Sequence, residues 1–274
     1  MLATLLIVFR EVFEAGLIVG IVLSATRGMA RRGLWVAYGV TAGVAGACLV
    51  AMFAGEIASW FEGAGQELFN AAILLLAVVM LSWHNAWMAS HGRAMAREIS
   101  QVGAAVIAGE RPPAALAIVC GVAVLREGSE VVLFLYGIAA SGSGSAAGMI
   151  AGGVLGVLAG VAVSAVMYGG LLTVPVRHLF AVTSTLITLL AAGLAAQAIA
   201  FIQQAGYAEG MEGTVWDTSW LLSDDSLMGR LLHTLIGYTA QPSWAQLAVY
   251  LLTIGMILGL MQLVATRQGE VVHE

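Results

Sequence analysis

The chain has no lysine: its 11 basic residues are all arginine, and charged side chains of either sign make up only 10% of its 274 residues. A net charge of −5 on so few charges leaves no basic surface for nucleic acid. Cysteine is limited to Cys48 and Cys120, both inside apolar runs, which excludes a disulfide framework or a cysteine zinc site and reads as small buried hydrophobes. Proline occurs four times, at 112, 113, 175 and 242, always between or at the ends of apolar segments. No helix interior is therefore broken by proline, and Pro112 and Pro113 sit where a helix N-terminus tolerates them. There is no nucleophile triad, phosphate loop or His-Glu-x-x-His motif, so neither enzyme chemistry nor a bound cofactor is expected. The first apolar run lacks a charged leader and runs on too far for a cleaved signal, and it reads as a retained anchor.

What fills the chain is apolar: 60% of residues are hydrophobic, the composition of an integral membrane protein. Seven spanning helices are expected, at about 2–26, 34–55, 68–89, 114–140, 146–172, 179–203 and 245–265, in an all-α fold. The arginines set the orientation. Arg27, Arg31, Arg32, Arg93, Arg97, Arg111, Arg177 and Arg267 fall on one face, against Arg230 alone on the other. The arginine-rich face is cytoplasmic, which puts the N-terminus outside and the C-terminus inside. Trp35, Trp83 and Trp87 are expected at the inner interface. The long 204–244 loop is then external. It carries Leu227, Met228, Leu231, Leu232, Leu235 and Ile236 at helical period, with Ser226 placed to cap that helix and Gly237 to end it.

One pattern occurs twice: Arg10-Glu11-Val12-Phe13-Glu14 and Arg126-Glu127-Gly128-Ser129-Glu130, each near the middle of a spanning segment. Charged groups at the bilayer centre cost on the order of 2.5–3.5 kcal/mol each, so six need compensation. Positions i, i+3 and i+4 share a helix face, so two facing helices can bring together four carboxylates and two guanidiniums. These are hard oxygen ligands, suited to hard cations and poor for Cu(I). The ionised cluster carries −2; Fe²⁺ would neutralise it, Fe³⁺ would leave +1, and charge alone does not choose. Two other readings stay open: a proton relay, and ion pairs that only fix helix packing in a non-transporting component.

The first three and next three segments each open with this motif, and their middle members share small-residue spacing, Gly39-x3-Gly43 and Gly152-x3-Gly156-x3-Gly160. Three is odd, so the triplets are inverted in the membrane, a plan that puts the site at the repeat interface. The expected layout is one permease domain over 1–274: repeat 1 over about 1–89, repeat 2 over about 114–203, the external loop, and an extra seventh helix. His84, toward the inner end of segment 3, is either an acceptor for a leaving ion or a hydrogen-bonded interfacial histidine. The external acids Glu62, Glu67, Asp217, Asp224 and Asp225 read as solvated loop residues or as an entry funnel for a cation.

With both motifs in hand, the chain resembles the oxidase-dependent iron transporters, the family of fungal and bacterial iron permeases. Its hallmark is Arg-Glu-x-x-Glu in the first and fourth helices, here at 10–14 and 126–130. Further likeness lies in Gln66-Glu67-Leu68-Phe69, Trp87-Met88, Ala192-Gly193-Leu194-Ala195-Ala196, Gly237-Tyr238 and Pro242-Ser243. The resemblance implies seven helices with the N-terminus outside, iron import across the plasma (bacterial inner) membrane, and an extracytoplasmic oxidase or iron-binding partner. It implies metal ligation by Glu11, Glu14, Glu127 and Glu130, supported by Arg10 and Arg126. Two positions depart from the family pattern. Asn70 stands where an acid commonly follows Gln-Glu-Leu-Phe, so that the chain either lacks that entry ligand or uses Glu67 instead, and Ser129 stands where leucine is common. Within transport, Mn²⁺ or Pb²⁺ are the competing cargoes.

Overall fold

The computed structural model describes residues 1–59, 66–140, 145–170, 176–207, 213–224 and 226–271. Among them are eight helices: α1 (Leu2–Ala25), α2 (Arg32–Ser59), α3 (Gln66–Ile107), α4 (Ala114–Ala140), α5 (Ala146–Tyr168), α6 (Val176–Gln204), α7 (Leu227–Ile236) and α8 (Trp244–Val271). The one extended pairing among these residues is an isolated antiparallel bridge between Thr214 and Ser243. Five stretches are long and apolar enough to cross a membrane: Arg32–Ala54, Glu67–Met88, Ala146–Tyr168, Ala181–Gln204 and Trp244–Val264. Helices α1 and α4 have comparable length, 24 and 27 residues, but each carries an arginine and two glutamates in its middle.

The 90–113 stretch, expected as a cytoplasmic loop, is helix as far as Ile107, and segment 3 grows into a 42-residue rod. Polar residues after Met88 resemble a loop by hydropathy, yet nothing there breaks a helix. The chain turns only at Gly109, whose φ of 78° lies in the left-handed region that glycine enters without steric cost. Ile99 and Val106 hold the extension by packing into a core cluster with Ile18 and Val22 of α1. The short α7 has the expected ends. Ser226 Oγ accepts from the Gly229 N–H at 2.9 Å, and Gly237 closes the helix at φ 70°.

Packing is crossed between the triplets. Helix α1 packs most extensively on α5, and α2 on α4, while α1 and α2 barely touch. Small residues make this possible. A Cβ on Gly43 would fall 2.7 Å from the carbonyl oxygen of Gly121 and 2.8 Å from Val124 Cβ. One on Gly156 would fall 2.8 Å from the carbonyl oxygen of Leu5 and 2.9 Å from Val8 Cβ. Likewise Gly39 faces the Ala117 carbonyl as Gly152 faces that of Met1. Each motif-bearing helix is thus backed by the middle helix of the other triplet, and α1 and α4 stand side by side.

Two apolar clusters follow. One holds Ala3 and Ile7 of α1, Leu74 and Leu81 of α3, Phe134 and Ile138 of α4, and much of α6. The other holds Ile18 and Val22 of α1, Ile99 and Val106 of α3, and Leu116, Cys120 and Ala123 of α4. Early residues of α1 meet late residues of α4, so the two helices run antiparallel. Residues 10–14 and 126–130 lie in the layer between the clusters.

Candidate metal centre

The polar layer is built from three helices. On α1, Arg10, Glu11 and Glu14 are all buried. Arg10 reaches along the helix to Glu14 (Nε to Oε1, 2.8 Å) and sideways to Glu11 (Nη1 to Oε1, 3.4 Å). The shorter contact is close in distance but poorly directed, and neither Arg10 Nε nor Glu14 Oε1 has a well-formed hydrogen bond. The attraction there is charge against charge between two buried groups.

On α4 the same motif has other surroundings. Arg126 Nε lies 3.3 Å from Glu130 Oε1, and its guanidinium sits 4.3 Å over the ring of Trp87. Glu127 is buried, and its Oε2 has no hydrogen-bond partner. A buried, unpaired carboxylate oxygen costs several kcal/mol unless something cationic meets it.

Helix α3 supplies the third side. His84 Nε2 lies 3.3 Å from Glu14 Oε2 and 3.8 Å from Glu11 Oε2, and Nδ1 contacts Glu130 Oε2. One imidazole therefore touches both motifs. Asn85, the next residue, ties α3 to α6: its Nδ2 donates to Thr188 Oγ1 at 3.0 Å, and its Oδ1 accepts from Ser184 Oγ at 2.5 Å. Those bonds fix the rotation of α3 and hence the direction in which His84 points. Glu11, His84, Glu127 and Glu130 each offer one donor atom, and these atoms all lie within 4.8 Å of one another. Carboxylate oxygens with an imidazole nitrogen make a donor set for a divalent first-row cation.

Two expectations about α3 are corrected here. His84 is not at the inner interface, and neither is Trp87. Both lie beside the charged motifs of α1 and α4: His84 touches Glu130, and Trp87 lies under Arg126. The signal that could have found His84 is its place on a helix with no breaker before Gly109, rather than the hydropathy of residues 68–89 alone.

Among the described residues, the acids expected outside do not join this layer. Glu67 is exposed in the first turn of α3. Asp217 is exposed and accepts from the Ser219 hydroxyl (2.5 Å), the Ser219 N–H (2.9 Å) and the Gln241 amide (2.9 Å), donors that hold its carboxyl below the usual carboxylate range. Asp224 accepts from the Ala240 N–H at 2.9 Å, pinning the loop before α7 to the segment after it. Glu62 and Asp225 lie outside the described residues.

The relatives are consistent across the whole length. The family model for the iron permease FTR1 family matches residues 1–268. The chain is 33% identical over 254 residues to the ferrous iron permease EfeU of Escherichia coli O6:K15:H31, covering 91% of each protein. The same identity and coverage hold for the EfeU of Shigella sonnei. Against that of Yersinia pestis it is 31% identical over 254 residues, covering 91% of this chain and 89% of the relative. No solved structure matches. Both Arg-Glu-x-x-Glu motifs lie within the matched length, on helices of a multi-pass inner-membrane protein, and the chain belongs to the iron permease FTR1 family.

Proposed function

We propose that this permease imports iron across the plasma membrane through a single occluded site between α1 and α4. Glu11, Glu14, Glu127 and Glu130 are the oxygen ligands. Arg10 and Arg126 keep the carboxylates ionised and apart while the site is empty. The observation that carries this reading is the buried Glu127 Oε2 without a partner, set among three other donors within 4.8 Å. A structural ion-pair network gains nothing from leaving such an oxygen unpaired. Four carboxylates against two guanidiniums leave −2, and Fe²⁺ brings that to zero.

The two apolar clusters support a transporter over an open channel. Ile7, Leu81 and Phe134 close one side of the layer, and Val22, Leu116 and Cys120 close the other, all fully or almost fully buried. Ion movement then requires one cluster to part at a time, as in alternating access. The matching glycine contacts of α2 on α4 and α5 on α1 favour two inverted three-helix repeats, with α8 as an added seventh span. The arginine bias favours an external N-terminus and an external 204–244 loop, where an oxidase or iron-binding protein would hand over its metal.

Uptake of radioactive iron by proteoliposomes holding the purified chain tests the function, with Mn²⁺ as competitor. Saturable iron uptake that Mn²⁺ blocks poorly is expected. No flux, or flux set by Mn²⁺, would overturn the iron reading. Single cysteines at Ser223 and Ser100 test the orientation. Residue 223 should label from outside intact cells, and labelling of residue 100 from outside would reverse the topology.

A further inference from the structure

The four-carboxylate site leaves one inward-facing group without a role. His84 comes from α3, outside either motif, and its side chain is 3% exposed. Its two nitrogens face carboxylates of different motifs: Nε2 toward Glu14 at 3.3 Å, Nδ1 toward Glu130. A neutral imidazole has one N–H and one lone pair. It can donate to one carboxylate, but its other nitrogen then presents a lone pair to oxygen lone pairs. An imidazolium donating from both nitrogens relieves this, and so does a metal ion held at one of them.

The hydrogen bonding distinguishes the two nitrogens. Nε2 lies 3.3 Å from Glu14, whereas Nδ1 touches Glu130 Oε2 in a contact without hydrogen-bond direction, beside Glu11 Oε2 and Glu127 Oε2, which are buried without a hydrogen bond. Glu11, Glu127 and Glu130 form the four-donor group with His84; Glu14, whose Oε1 is also without a hydrogen bond, lies outside it. Glu14 is instead held by Arg10.

We propose that His84 Nδ1 is a ligand of the transported ion and the residue that sets its metal preference, an inference that rests on the carboxylate site above. His84 Nε2–H donates to Glu14, and Arg10 fixes Glu14. A carboxylate behind an imidazole orients the ring and makes its free nitrogen a better donor. Glu14 thus supports the ion through His84 as well as with its own carboxylate, and one nitrogen joins the carboxylate oxygens around the ion. Imidazole suits Fe²⁺, Co²⁺, Ni²⁺ and Zn²⁺, whereas Mn²⁺ and Mg²⁺ are served by oxygen alone. An all-carboxylate site separates these groups less than one that includes an imidazole nitrogen.

The test uses the full chain in detergent or nanodiscs with metal binding as the readout. In the wild type loaded with one equivalent of Cu²⁺, pulsed electron paramagnetic resonance should show imidazole ¹⁴N modulation, shifted by ¹⁵N-histidine labelling. Its absence in the wild type overturns the proposal without any mutation. In His84→Gln and His84→Asn the modulation should vanish. Co²⁺ affinity should fall by roughly tenfold or more, the scale on which disturbing a metal's supporting groups acts. Mn²⁺ affinity should change far less. Equal losses for Co²⁺ and Mn²⁺ overturn the proposal. Glu127→Gln separates this failure from failure of the site itself. If it leaves binding of both metals intact, the carboxylate site is wrong. If it abolishes both while His84→Gln leaves the Co²⁺ to Mn²⁺ ratio unchanged, only the histidine assignment falls.

Discussion

The two Arg-Glu-x-x-Glu motifs share their charged residues and do not share their surroundings. Arg10 is 2% exposed and reaches both glutamates of its own helix. Arg126 is 37% exposed, pairs with Glu130, and rests on the face of Trp87. In the first motif one guanidinium serves both glutamates, with Glu11 Oε2 still without a hydrogen bond; in the second Arg126 meets Glu130, and Glu127 Oε2 is without one. The cause is α3. It passes beside both α1 and α4, and it places His84 and Trp87, three residues apart on one face, against the pair. The backs of α1 and α4 are matched by glycine contacts, while their fronts meet a single helix that cannot be symmetric to both. A doubled motif therefore supplies one asymmetric site, with a braced half and a half awaiting charge.

The largest effects should come from treating the two halves alike. Glu14→Gln leaves the buried Arg10 with Glu11 alone, and breaking a buried pair costs up to about 3–5 kcal/mol. Glu127→Gln removes a charge that has no partner, so metal-free thermal stability should hold or rise. Differential scanning fluorimetry in chelator should show opposite directions for the two variants. Equal losses would mean that Glu127 is as well paired as Glu14. Arginine-to-lysine changes sharpen the same contrast. Arg10→Lys loses a fork that serves two carboxylates, so it should depress both stability and uptake more than Arg126→Lys. The reverse order would overturn the assignment of the braced half.

The matched backs predict matched damage. Gly156→Leu and Gly43→Leu each drive a side chain into a facing backbone carbonyl. Overpacking of this kind costs about 1–3 kcal/mol or more. Similar drops in melting temperature are expected for the two; a drop in only one would break the repeat symmetry. The smallest effect belongs to Trp87→Leu, which removes the ring under Arg126 and about 0.5–2 kcal/mol with it. Its stability loss should shrink when Arg126 is also replaced by glutamine, and an additive double variant would deny the contact.

Much of this arrangement is legible in the chain itself. The ends of the fourth segment, 114–140, coincide with α4, and Ser226 and Gly237 bound α7 as their chemistry requires. The charged layer could be read because three ionisable residues in the middle of an apolar run are too costly there to stand without partners. What could not be read is which helix meets which. Gly39-x3-Gly43 and Gly152-x3-Gly156 say that some backbone comes close; they do not say that α2 leans on α4 and α5 on α1. The length of α3 was hidden by Arg97 and Glu98, whose polarity resembles a loop although a helix tolerates them. With that length went the depth of His84 and Trp87, and hence the asymmetry of the two motifs.

The central claim is that two motifs make one site. Equilibrium binding of ferrous iron to the purified chain under anaerobic conditions, with ions counted per chain, tests it most directly. One ion per wild-type chain is expected, and none in Glu11→Gln or in Glu127→Gln, because each substitution disables the same site from opposite sides. Two ions per wild-type chain, with one surviving in each single variant, would show two separate motif sites and contradict the account.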